Sequence, residues 1–218
     1  FIYDWYWYDR RPFLENCLND GFLKAKNRDR MKFYLMWANH DAVALWDKRN
    51  SNDLSTVVWD GGVAMDEFRR AMRRVIEKYF HQPNYYTIDG KPVFMIYDVP
   101  KLVSGLGGID AAREALAWFR EECVRSGLPG LHLQFTMWNE KCTNLSGVDG
   151  VKTVSAKEFG NLGFDSCSHY QFVHFLNIDR SYGELLPEVA DDVRSAGTDL
   201  LPGPGELQPR CSCPDWAD

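Results

Sequence analysis

Five apolar runs in this chain each end in a carboxylate, amide or imidazole beside an aromatic ring. Asp4 stands among Trp5, Tyr6, Trp7 and Tyr8; Trp37 is followed by Asn39, His40 and Asp41; Tyr97 precedes Asp98; Trp138 precedes Asn139 and Glu140; His169 adjoins Tyr170. Sugars present apolar C–H faces that lie on indole or phenol rings, and their hydroxyls need carboxylate, amide or imidazole partners. Cleaving a glycosidic bond needs two carboxyl groups with separated roles. Asp98 and Glu140, on neighbouring runs, are the candidates for acid and base. Asp4, Trp5, Tyr6, Trp7, Trp37, Asn39, His40, Asp41, Tyr97, Trp138, Asn139, His169 and Tyr170 are the candidates for holding the substrate.

Each of these residues also has a structural reading. An Asp at the end of a strand commonly caps the next helix or forms a turn, which applies to Asp41. Trp and Tyr rings can fill the space between sheet and helix. Glu140 can be a solvated loop charge, and His81 and His132 read as ordinary histidines. The joint pattern across five runs, rather than any one residue, carries the functional reading.

The runs must be positioned by a frame, and the chain reads as alternating strands and helices. Residues 1–8 form an aromatic strand, with a helix opening near Pro12 and carrying Phe13, Cys17, Leu18 and Phe22. Phe33 to Trp37 is a second strand. Phe68, Met72, Val75, Ile76 and Tyr79 fall on one face of a helix over 66–80, opened by Asp66 and Glu67, where the helix dipole favours acids. The Asp89-Gly90 turn leads into a strand from Val93 to Tyr97. A helix follows through Ile109, Ala112, Leu116, Phe119 and Cys123, then a strand from Leu131 to Trp138 and a fifth apolar run around Phe164 to Phe172. Such alternation predicts right-handed crossovers and a parallel sheet, with working residues at the C-terminal strand ends. The fold is therefore α/β, either an open doubly wound sheet or a partial, TIM-like (β/α)8 barrel. A whole barrel takes about 250 residues, so the 218 residues here predict one incomplete at both ends. No strand is followed by a dinucleotide or P-loop glycine motif, and Gly105, Gly107 and Gly108 read as a flexible loop.

The net charge of −6 argues against a partner that is bound through its phosphate backbone. No apolar stretch approaches the roughly 18 residues of a membrane span, and no targeting signal is visible ahead of Phe1, so the chain reads as a fragment. Cys17, Cys123, Cys142 and Cys167 have no regular spacing, which predicts free thiols in a reducing, cytoplasmic compartment. The composition changes near residue 183. Pro202, Pro204, Pro209 and Pro214 with Gly203 and Gly205 read as an irregular linker or tail, dividing the chain into residues 1–182 and 183–218.

Four segments, FIYDWYWYDRRPFLENCL, MKFYLMWANHD, YFHQPNYYTIDGKPVFMIYD and GFDSCSHYQFVH, resemble in order the glycoside hydrolase family 99-like proteins, also described as the WbsX glycosyltransferase family, over roughly residues 1–190. The resemblance implies a (β/α)8 barrel acting on an oligosaccharide or polysaccharide, with no cofactor. It also implies hydrolases that cleave within α-mannose-containing glycans by a retaining route through a 1,2-anhydro sugar. That family places two catalytic glutamates in an N-E-W-x-E type motif on a late strand. Trp138 to Lys141 reads WNEK, lies earlier in order and is followed by Asn144, so Glu140 is a candidate by its strand-end place and not by the resemblance. Impaired or absent catalysis is the expectation for a chain without the late motif.

The tail, LLPEVADDVRSAGTDLLPGPGELQPRCSCPDWAD, resembles the start of a SWIM zinc finger, with Cys211 and Cys213 as the opening C-x-C. Tetrahedral zinc needs four ligands, so zinc is expected only if further residues complete the site. The alternative function is then a zinc-binding module for nucleic acid or protein, with the barrel portion as a passenger.

Overall fold

The computed structural model describes residues 1–44, 49, 55–137, 161–171 and 176–200. In chain order the strands are β1 (Ile2–Tyr8), β2 (Arg11–Phe13), β3 (Tyr34–Trp37), β4 (Ala42–Val43), β5 (Val57–Trp59), β6 (Thr87–Ile88), β7 (Lys91–Ile96), β8 (His132–Met137) and β9 (Ser166–His169). The helices are α1 (Met65–Val75), α2 (Val99–Leu106), α3 (Ile109–Arg125) and α4 (Tyr182–Leu200).

Five strands, β1, β3, β7, β8 and β9, are parallel and lie side by side in the order in which the chain makes them. Right-handed crossovers that always step in one direction place their connections on one face of a sheet. The order never reverses, so this part of the sheet has no switch-point crevice of the doubly wound kind. Strand alternation then sorts the side chains. Trp5, Trp7, Leu35, Trp37, Phe94, Ile96, Leu133 and Phe135 are buried in one core with Phe68, Met72, Val75, Leu102, Leu116 and Phe119 from the helices. The Phe94 and Phe119 rings meet edge to face at 5.4 Å. Asp4, Tyr6, Tyr34, Met36, Met95, Tyr97, Gln134, Thr136, Ser166 and Ser168 occupy the alternate positions, on the opposite face.

Two contacts on that opposite face skip a strand. Tyr34 Oη donates to Gln134 Oε1 at 3.4 Å across β7, and the Tyr97 and Tyr170 rings lie 5.3 Å apart across β8. Strands two apart in a flat sheet are separated by about 9–10 Å. Such contacts suit a sheet curved toward the face that carries Tyr6, Tyr97 and Tyr170, which is termed the concave face.

Several local expectations are corrected. Pro12 lies in β2, not at a helix start: Asp9 (φ 49°) and Arg10 (φ 61°) form a two-residue turn with both φ positive, which sends the chain back antiparallel to β1. Only short turns follow, a π-helical one over Cys17–Gly21 and a 3-10 turn over Phe22–Lys24. The helix expected over 66–80 is α1 followed by a π-helical turn, Ile76–Phe80. The glycines of residues 105–108 are not a loop; Gly105 belongs to α2, and Gly107 (φ 93°) is its left-handed cap. Residues 182–200 of the span read as linker and tail are helical, and its Pro- and Gly-rich part from residue 201 lies outside the described residues. At the start of α4 the Glu184 carboxylate accepts from both the backbone N–H and the hydroxyl of Ser181.

Candidate functional site

The concave end of the sheet is built by three strand ends and a hairpin. Along β1, even positions face the concavity, so Asp4, Tyr6 and Tyr8 share that side while Trp5 and Trp7 turn into the core. Trp5 Nε1 donates to Glu15 at 2.8 Å and Trp7 Nε1 to Glu67 at 3.0 Å. Trp37 is fully buried, packing against Trp5 and Phe68. The structure thus places Trp5, Trp7 and Trp37 in the sheet–helix core, where no ligand reaches them.

Past β3, Asn39 is buried and fastens two strand ends together. Its Nδ2 donates to Asp98 O at 2.7 Å, and its Oδ1 accepts from Asp98 N at 2.8 Å. Asp98 caps α2, accepting the Lys101 N–H at 2.8 Å. Burial raises its carboxyl pKa, and the Lys101 N–H and the Lys101 charge oppose the rise. Asp41 accepts from Gly61 N at 2.9 Å and pairs with Lys101 Nζ, which also reaches Asp60 at 3.1 Å. Lys101 keeps a raised pKa because these carboxylates outweigh its burial. Asn39, Asp41 and Asp98 therefore hold the loops in place through contacts with protein partners.

This scaffold fixes His40. Its Nδ1 lies 2.9 Å from Asp41 O, and its carbonyl accepts from Tyr8 Oη at 2.9 Å. The His40 ring meets Tyr6 at 6.2 Å and Tyr97 at 5.6 Å, both nearly perpendicular. Tyr97 in turn meets Tyr170, which is 40% exposed. Tyr6, His40, Tyr97 and Tyr170 thus form one unbroken row across the concave face. Asp4 lies one layer beneath Tyr6; desolvation raises its carboxyl pKa, and His40 partly offsets this. Burial, the Asp4 charge and Tyr170 raise the Tyr6 hydroxyl.

Of the sequence candidates, the structure brings together Asp4, Tyr6, His40, Tyr97 and Tyr170. His169 ends β9 opposite Met137. Trp138, Asn139, Glu140, Cys211 and Cys213 lie outside the described residues. Sequence reasoning missed Tyr8, Phe13 and Trp59, whose rings join the same wall. Two signals could have found them: the Arg11-Pro12-Phe13 alternation after a two-residue turn, and the Val57-Val58-Trp59 run before Asp60-Gly61-Gly62. It also missed Glu15, a buried carboxylate held by Arg74, Lys78 and Trp5 on the core side. Among the described residues no group of three or more His, Cys, Asp or Glu could hold a metal ion, and no helix is long and apolar enough to cross a membrane.

Neither the curated proteins nor the solved structures contain a match to this chain. A family model does match, described as Glycosyltransferase WbsX, and it aligns to residues 1–182. That span includes every described strand and each member of the concave row, so the row and the match refer to the same unit. The chain belongs to the WbsX glycosyltransferase family, which supports a carbohydrate-active or polysaccharide-biosynthesis role.

Proposed function

We propose that this chain binds a mannose-containing glycan on the concave face, at the C-terminal ends of its parallel strands, within a partial (β/α)8 barrel. The sequential strand order and the strand-skipping contacts support the barrel. One observation carries the site: the continuous row of Tyr6, His40, Tyr97 and Tyr170 beside a desolvated carboxyl, Asp4. Rings in a row offer faces and edges to successive C–H surfaces of a sugar, and the hydroxyls and imidazole serve its polar edge.

The same row suits transfer chemistry at a glycosidic bond. A general acid must hold its proton more firmly than an ordinary carboxyl does, and desolvation moves Asp4 in that direction. Asp4 fits this role better than Asp98, which spends an oxygen on the cap of α2. Glu140, three residues beyond β8, is the candidate second carboxyl. The anomeric carbon then passes to water in hydrolysis or to a sugar hydroxyl in transfer.

Calorimetric titration with mannose-containing oligosaccharides tests the reading. Tyr97→Ala and His40→Ala should each weaken binding by about tenfold, the equivalent of about 1–1.5 kcal/mol for an aromatic contact. Asp4→Asn should retain binding and lose any turnover. Affinities unchanged in both ring variants would refute the proposed site.

A further inference from the structure

We infer that Trp59 and Phe13, backed by the buried Tyr8 ring, form a second sugar platform, which takes the residues of the same glycan that extend past the Tyr6–Tyr170 row. The inference rests on the function proposed above.

Trp59 is presented in the way an indole meets a pyranose. Its ring stacks on Tyr8 at 5.7 Å and 26°, and meets Phe13 at 5.2 Å and 65°. It is still 37% exposed, and Phe13 is 39% exposed, whereas Trp5, Trp7 and Trp37 are all buried. Single exposed apolar side chains are ordinary, but these two rings adjoin at 5.2 Å and make one aromatic patch. The hairpin that delivers Phe13 is itself costly. Asp9 and Arg10 both sit at positive φ without being glycine, at about 1–2 kcal/mol each. The turn sets Phe13 opposite Tyr6 in register, with its ring against Tyr6 and Tyr8.

The platform is continuous with the concave row. Trp59, Phe13, Tyr6, His40, Tyr97 and Tyr170 follow one another at ring separations of 5.2–6.4 Å. Its rim is polar. Asp60, adjoining Trp59 in sequence, is 70% exposed and held ionised chiefly by the Gly62 N–H, and the Asp9–Arg11 ion pair flanks the turn. Ionised carboxylates beside an indole face accept sugar hydroxyls. A protein partner would need about 800 Å² on this side, far more than two half-exposed rings and a charged rim provide. A glycan chain fits the extent and the chemistry.

The test is calorimetric titration with a ladder of mannan-derived oligosaccharides, from mono- to hexasaccharide, on the whole chain. In the wild type, affinity should climb with length. Trp59→Ala should lower hexasaccharide affinity about tenfold and leave the monosaccharide and disaccharide within about twofold. Tyr97→Ala should weaken every length. Trp59→Phe keeps a ring on Tyr8 and should fall between wild type and Trp59→Ala, which decides the matter if the alanine variant fails to fold. Trp59 variants that match wild type at every length, while Tyr97→Ala weakens them all, would overturn the platform and leave the proposed function standing. Equal loss at every length in the Trp59 variants would also overturn it. No binding of any ladder member by the wild type would overturn both.

Discussion

Glu15 should make an outsized, pH-dependent contribution to stability. Its side chain is only 6% exposed and receives Arg74 Nη2 at 2.6 Å, Arg74 Nε at 3.1 Å and Trp5 Nε1 at 2.8 Å, with Lys78 at 3.4 Å. Burial alone would push this carboxyl up. The Arg74 and Trp5 hydrogen bonds and the Arg74 and Lys78 charges reverse that, to about 2 from an ordinary 4.5. Each unit corresponds to about 1.4 kcal/mol, so the difference amounts to about 3 kcal/mol, and the partial solvent access of Arg74 and Lys78 reduces it to about 2 kcal/mol. Because the folded value lies below the unfolded one, the stabilisation is complete above pH 4.5 and is lost as pH falls toward 2. Glu15→Gln keeps an acceptor for Trp5 and removes the charge. Urea unfolding at pH 7 should show it less stable by about 2–3 kcal/mol, with the gap from wild type roughly halved near pH 3. A gap below about 0.5 kcal/mol at pH 7, or one independent of pH, would refute the reasoning.

Other consequences follow from the scaffold of the site. Asn39→Ala strands both backbone groups of Asp98 and should cost about 2–4 kcal/mol in urea unfolding; a cost under about 1 kcal/mol would mean that water replaces the side chain. Gly61→Ala places a Cβ against Asn39 O and 2.5 Å from His40 O. Its backbone must shift, so the His40 and Tyr8 resonances should move in NMR spectra, and an unchanged spectrum would contradict the close approach. The Asp4 carboxyl should titrate above its ordinary 3.8, and His40→Ala should raise it further by removing the imidazole that opposes desolvation. Carbon-detected titration reads both, and a fall on His40→Ala would exclude that coupling.

The parallel strands were legible because each is an apolar run that ends at a polar residue, as in Leu35-Met36-Trp37 before Asn39. Their concave and core faces were harder to tell apart. In FIYDWYWY every ring looks alike to a composition argument, and only the packing shows Tyr6 against His40 on the concave side and Trp5 and Trp7 in the core. The bland reading of Asp41 and Asp98 describes their contacts, since caps and ion pairs use the same residue type that catalysis would. Glu15 left no local trace, because its partners Arg74 and Lys78 are about sixty residues away in sequence. The Asp9-Arg10 turn was hidden by the absence of the Gly or Asn that usually marks positive φ.

The central claim is that a glycan lies on the concave row, and tyrosine ring resonances test it most directly. With ring-labelled tyrosine and a mannan-derived oligosaccharide added to saturation, the Tyr6, Tyr97 and Tyr170 signals should shift together. The core tyrosines Tyr79 and Tyr85, buried on the other side of the sheet, should not. Shifts confined to Tyr79, Tyr85 or Tyr182, or no shift at Tyr97 while the oligosaccharide is demonstrably bound, would contradict the account.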